Sequence, residues 1–242
     1  MDAVMHSFGF IILYIFPPPS SNSTVGYDLD KLHRSFVTLV EEDYPLLVGE
    51  LHVDPQTGIV NVKQSPERRQ RGAQEIRFET NPNNSMTTEE AIKMRTLDLM
   101  PTQRSKMELI CAKGTLLADG GLVIGVDASH TLFDGEAMFT FMTVWGQHYS
   151  GKNVSAVQVG TNFVFGPDLM FTSWVHMGMY NAEFDGTHPW YACVPRIPCY
   201  DGFNMITEAR KGGDGVDVGV FLESGAMERL KKLYAEVEYL HE

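Results

Sequence analysis

Cysteine is scarce in this chain: 242 residues carry three, Cys111, Cys193 and Cys199. An odd count in a chain this long excludes a disulfide framework, and without a C-x-x-C pair a structural zinc site has no support. Reduced thiols in a cytoplasmic protein are the expectation. Basic residues are also few. Lys and Arg number 19 against 31 Asp and Glu, a formal net charge of −12, which excludes a protein that wraps nucleic acid. A small anionic ligand needs only a local basic patch and is not excluded. A long hydrophobic run is missing too. Residues Phe8 to Phe16 are apolar or small, far short of the about 20 needed to span a bilayer. No Lys or Arg precedes them and no small-residue cleavage site follows, so neither a membrane span nor a secretory leader is expected. Internal repeats are absent. What is present is core-forming material, 43% hydrophobic and 11% aromatic, enough for one large domain or two smaller ones.

The alternation of aromatic and β-branched residues through Phe16, stopped by Pro17-Pro18-Pro19, predicts a buried strand, and residues 17–26 a turn-rich connector. A helix is expected from Asp28 to Glu42-Asp43, with Leu29, Leu32, Phe36, Leu39 and Val40 at helical spacing and Pro45 beyond its end. Leu46–Val53 and Gly58–Val62 read as strand–turn–strand. Residues 64–90 read as a polar surface excursion with solvated Arg68, Arg69 and Arg71 and one strand at Glu75–Glu79. Strands are expected at Met107–Ala112 and Gly121–Ala128 around the turn Ala118-Asp119-Gly120, then a helix from Gly135 to His148 with Ala137, Met138, Phe141, Met142 and Trp145 on one face. Residues 150–168 look like a linker. An apolar segment at 169–180 and a Gly/Pro-rich stretch at 185–202 follow. Strands at 203–209 and Val216–Glu223 flank the turn Lys211–Gly215. Ser224 is expected to cap a last helix with an apolar stripe of Met227, Leu230, Leu233 and Val237. Strands and helices intermix, which predicts a mixed-sheet α/β layer fold.

The stretch GLVIGVDASHTLFDG, Gly121 to Gly135, carries chemistry. An apolar strand runs into a short loop holding His130, with Asp134 four residues on and a helix after Gly135. Sites form at the ends of core strands, and imidazole can take a proton from a hydroxyl or amine. Asp134 can turn inward to fix the loop, or draw an arginine into a structural salt bridge. On its own, H-x-x-x-D-G also fits a histidine satisfied within the core. A hydrolase using His130 with Ser129 or Cys111 is a further reading, weakened by the lack of a G-x-S-x-G elbow.

The segment resembles the HxxxD signature of the BAHD acyltransferases, a plant and fungal CoA-dependent family of secondary metabolism related to chloramphenicol acetyltransferase. Three further stretches match that family in order. Tyr44 to Leu51 (YPLLVGEL) is similar to its YPLAGRL segment, Phe171 to Trp174 to its TSW segment, and Tyr180 to Gly186 to its YxADFGWG motif. The tail from Phe203 to Leu233 has the family's closing strand–turn–strand–helix order. The resemblance implies a chloramphenicol-acetyltransferase-like α/β fold, a mixed sheet flanked by helices. It would comprise an N-terminal domain over 1–155 and a partial C-terminal domain over 156–242. It also implies transfer of an acyl group from acyl-CoA, the co-substrate, to a small-molecule alcohol or amine, with no permanently bound cofactor and no metal.

By the resemblance His130 is the general base. Trp174 and Thr172 line the site, the indole N–H donating to the oxyanion. Asp134 supports the loop through an arginine, next to Gly135, and Glu183 replaces the motif's Asp as a structural ion-pair residue. Residues for the CoA phosphates are not identified; Arg210 with Lys211, and Arg229 with Lys231 and Lys232, are the C-terminal basic groups. Family members are considerably longer. Only 44 positions separate His130 from Trp174, so material is missing around 150–168, and Asp185-Gly186-Thr187 stands where the family has Gly-Trp-Gly. Uncovered sheet surface is therefore expected, with a second copy as the partner that covers it. A catalytically inactive member acting as an interaction or regulatory protein is the alternative.

Overall fold

A computed structural model describes residues 9–19, 26–56, 60–152, 164–165, 170–196, 203–210, 212–213 and 215–236. Most of the expected linker, Cys199, Lys211 and Val237 lie outside these residues.

The central strand is β1, Gly9–Phe16. Its alternation divides two cores. Phe10, Ile12, Tyr14 and Phe16 enter one buried cluster, and Leu13 and Ile15 enter the other. Helix α1, Leu29–Glu42, starts where the Asp28 carboxylate accepts the N–H groups of Asp30 and Lys31, and buries Leu29, Leu32, Phe36, Leu39 and Val40. A hairpin of β2, Glu50–Val53, and β3, Val60–Lys63, follows.

Residues 64–90, expected as a polar excursion, hold two helices. In α2, Pro66–Arg71, the Ser65 hydroxyl caps a first turn that begins at proline. Arg68 is not free in solvent: it pairs with Glu50 at 2.6 Å and donates to the Val48 carbonyl. Strand β4 is Phe78–Asn81, three residues later in its start than the expected Glu75–Glu79, because a 3-10 turn over Gly72–Glu75 takes the first of those residues. In α3, Thr88–Met94, Thr87 and Glu90 form a reciprocal capping box.

Strands β5, Ile110–Leu116, and β6, Leu122–Ser129, form the long hairpin, β5 starting three residues later than expected. Every residue of β6 is buried. Helix α4 is Gly135–Ser150. Beyond it come β7, Val164–Phe165; β8, Met170–Ser173; β9, Tyr191–Cys193; β10, Phe203–Glu208; and β11, Val216–Phe221. The last helix, α5, is Ser224–Glu236. Its cap is the Glu223 carboxylate, which accepts the N–H groups of Gly225 and Ala226, rather than the expected Ser224 hydroxyl.

Two mixed sheets result. The first has the order β4-β5-β6-β1-β9 and the second β11-β10-β8-β7. In the first, β4 runs parallel to β5 and the remaining pairs are antiparallel; in the second, β8 runs parallel to β10. The boundary expected at 155/156 falls before every strand of the second sheet, yet β9 returns to pair with β1 in the first. Helices α1 and α4 cover one face of the first sheet, locked together where the Trp145 indole donates to the Ser35 hydroxyl at 2.9 Å. The segment around α3 and Leu99-Met100 covers the other. The stripe expected on α5 is not buried: Leu233 is 60% exposed, as are Val216 and Val218 of β11 at 50% and 54%.

Candidate active site

The first sheet delivers His130 to a fixed place. The Ser129 N–H donates to the Leu109 carbonyl at 2.8 Å, and the Ser129 carbonyl accepts the N–H groups of Leu132 and Phe133, both at 3.0 Å. The chain therefore turns sharply at the end of β6, and His130 sits half-buried on that turn. Asp134 closes the loop as the N-cap of α4, its Oδ1 accepting the Ala137 N–H at 2.8 Å. The resemblance points to an arginine for this carboxylate; among the described residues no arginine is in ion-pair reach of it. The helix start takes its place.

The imidazole is oriented by a ring contact. Phe10, across the sheet on β1, meets it edge-on with centroids 5.5 Å apart. Among the described residues neither ring nitrogen of His130 has a hydrogen-bond partner. The other side of Phe10 stacks on Trp174, 5.0 Å between centroids and 21° between planes. Trp174 arrives from the second sheet. It follows β8, donates its main-chain N–H to the Ile206 carbonyl at 2.8 Å, and is 9% exposed. Its ring also meets Phe139 of α4 at 5.6 Å. Thr172 lies two residues back on β8, half-buried, paired with Met205.

Gly135 is where the two parts close. A Cβ there would lie 3.4 Å from the Met177 sulfur and 3.5 Å from the Trp174 ring, so the bare helix start lets the loop after β8 lie directly on it. His130 and Trp174 thus both meet Phe10, and Trp174 also lies against Phe139 and Gly135.

A transferase-family model matches residues 1–165. The chain belongs to the BAHD-type transferase family. Its fold, mixed sheets flanked by helices, is similar to that of TRI101 from F. sporotrichioides, solved with coenzyme A and T-2. That match has a TM-score of 0.70 and 12% identity over 96% of each chain. Vinorine synthase matches with a TM-score of 0.73 and 15% identity, covering 98% of this chain and 92% of that one. Identities this low make the likeness one of fold. No curated protein sequence matches the chain.

Other expected site residues of this BAHD-type transferase lie apart from His130. Glu183 packs its main chain on Gly146, where a Cβ would lie 2.3 Å from the Glu183 carbonyl oxygen. That is eleven residues from Gly135, about 16 Å along α4. Its carboxylate pairs with Lys152, which holds it below the usual range, and lies 3.7 Å from His188. Ser129 is fully buried, and burial pushes the Cys111 thiol up to about 12, so neither supplies the nucleophile of a hydrolase. Three of the basic groups considered for phosphate are engaged: Arg210 grips Glu89 through both terminal nitrogens and lies over the Trp190 ring, Arg229 pairs with Glu223, and Lys231 with Glu228. Among the described residues no group of three His, Cys, Asp or Glu could hold a metal, and no helix is long and apolar enough to cross a membrane.

Phe10 and Phe139, the rings packed between these candidate residues, are ones that the sequence reading misses. In the sequence both are ordinary apolar residues of a strand and a helix, and no local signal distinguishes them from the rest of the core.

Proposed function

We propose that the chain transfers an acyl group from an acyl-CoA to the hydroxyl or amine of a small molecule, with His130 as general base. One observation carries the reading: His130 stands at the end of a core strand with no hydrogen-bond partner on either ring nitrogen among the described residues, across Phe10 from Trp174. A free ring nitrogen takes the acceptor proton as the acceptor oxygen or nitrogen attacks the thioester carbonyl. The new bond forms on the carbonyl carbon and the oxygen gains negative charge. The Trp174 indole N–H, which has no partner among the described residues, donates to that oxygen; such a donor is worth about 2.7–4 kcal/mol of barrier. Collapse breaks the carbon–sulfur bond, and the CoA thiolate leaves with the proton that His130 carried.

In this reading Thr172 lines the site beside Trp174. Asp134 and Gly135 set the loop and its closure, and Glu183 ties the chain at the far end of α4. Acyl-CoA is the co-substrate, as coenzyme A is the ligand in the TRI101 complex. A cytoplasmic setting suits the two free buried thiols, Cys111 and Cys193, and a second copy would cover Val216 and Val218. The second reading, an inactive member that acts through contacts, draws on those same uncovered residues and predicts no turnover.

The test is release of free CoA thiol from acetyl-CoA by the purified chain with a panel of alcohols and amines. Acceptor-dependent release that falls about 10²- to 10⁴-fold in His130→Ala supports the base. Release unchanged in that variant overturns it. A melting temperature raised by acetyl-CoA, with no thiol release from any acceptor, favours the inactive reading.

A further inference from the structure

Asp127 stands on β6 three residues before His130, and an arginine serves it. Both carboxylate oxygens accept from Arg104: Oδ2 from its main-chain N–H at 3.1 Å, and Oδ1 from its Nε–H at 3.2 Å. The two side chains are 5% and 11% exposed, the most buried ion pair among the described residues. Arg104 has further anchors. Its Nη1 donates to the carbonyl of Ser105 at 3.0 Å and to that of Glu108.

Two short paths run from this pair to His130. The first passes through the start of β5. Glu108, gripped by Arg104, precedes Leu109, whose carbonyl accepts the N–H of Ser129, the neighbour of His130, at 2.8 Å. The second passes through β1. A Cβ on Gly9 would lie 2.7 Å from Asp127 Oδ1, so the strand lies bare against the carboxylate. Gly9 pairs with Ser129 and precedes Phe10, the ring that meets His130. The pair therefore touches both strands that flank the end of β6.

Stability alone is a poor reason for such a pair. Desolvation of two charges offsets most of their attraction, and apolar residues of similar volume fill a core as well or better. What apolar residues lack is direction: a planar fork and fixed N–H groups aimed at particular oxygens. His130 has no hydrogen-bond partner among the described residues, so its aim depends on how firmly the strand end beneath it is held.

We infer that Arg104 and Asp127 are positioning residues for His130: the pair fixes the end of β6 against β5 and β1, and so sets the direction of the imidazole. The inference rests on the acyltransferase reading and deepens it.

The experiment takes two readouts on the full chain. The His130 ring signal, in protein labelled with ¹³C-histidine and assigned with His130→Gln, reports placement without turnover. Thiol release from acetyl-CoA with an acceptor gives kcat and KM. The decisive variant replaces both partners, Arg104→Met with Asp127→Leu. It is expected to keep a urea midpoint no lower than the parent's, to move the His130 signal, and to lower kcat about tenfold or more with KM for acetyl-CoA unchanged. A His130 signal left in place overturns the inference, and so does parental kcat in an active chain. If the double variant does not fold, Asp127→Asn, which keeps the shape and drops the charge, decides on the same signal: displacement supports the inference and no displacement overturns it. If the parent releases no thiol with any acceptor, a displaced signal still supports the placement, and the acyltransferase reading alone fails.

Discussion

Phe10 meets His130 edge-on, ring centroids 5.5 Å apart and planes at 64°. The contact matters because no hydrogen bond from the described residues fixes the imidazole. A base whose second nitrogen is unheld depends on packing for its aim, and Phe10 is 4% exposed with Trp174 stacked behind it. Phe10→Ala empties the space between the two functional rings and is expected to cost about 3–5 kcal/mol in urea unfolding. Phe10→Leu keeps an apolar filler but loses the flat edge. It is expected to lower turnover by a larger factor than it lowers the folding equilibrium, which paired unfolding and thiol-release curves measure. Equal losses in both would make Phe10 core and nothing more.

Trp174 separates ring from donor. Trp174→Phe keeps an aromatic plane against Phe10 and Phe139 and removes only the indole N–H. The expected outcome is a fall of about 10²- to 10³-fold in kcat with little change in melting temperature. A variant as fast as the parent would place the oxyanion elsewhere.

Asp134 offers a clean distinction between a cap and an ion pair. As the α4 N-cap it needs an oxygen acceptor and not a charge. Asp134→Asn is therefore expected to keep nearly full stability, while Asp134→Ala loses about 0.5–2 kcal/mol. Thermal melts of the two side by side decide it. If Asn is as damaging as Ala, the charge is needed, and the arginine partner implied by the family resemblance regains its case.

The sequence made the segment from β6 to α4 legible because its signals are local: an uninterrupted apolar run, a histidine at its end, a capping aspartate and a glycine. The other signals had competitors or were not local at all. Thr87-Thr88-Glu89-Glu90 is a capping-box pattern, yet Asn81 to Ser85 read as open loop and hid α3. Strand β9 has three residues between Pro189 and Pro195, too short for any alternation; it exists because Ile15 and Leu13 on β1 offer an open edge, with the Trp190 N–H donating to the Ile15 carbonyl at 2.8 Å. The partner of Glu183, Lys152, lies across a stretch whose path no local rule sets. Phe10 and Phe139 join the site only once both sheets are in place, so long-range packing supplies what periodicity could not.

Asp119 ties the turn before β6 to α3 and gives the fold a predictable pH limb. Burial pushes its carboxyl up, but the N–H groups of Thr88 and Gly121, at 2.9 and 3.2 Å, and the Thr88 hydroxyl at 3.0 Å outweigh it and hold the group below its ordinary value. A depressed value in the folded state means that the unfolded chain binds more protons in the acid range. The stabilisation is therefore complete above the unfolded value of about 3.9 and is lost as pH falls through the lower, folded value. Glu79 and Glu108, both lowered beside Arg77, act in the same direction and remain in an Asp119→Asn variant. The difference between parent and variant isolates Asp119. Urea midpoints are expected to differ most near pH 7 and to converge towards pH 3; a difference that stays constant would mean that the charge on Asp119 does not support the turn that leads into His130.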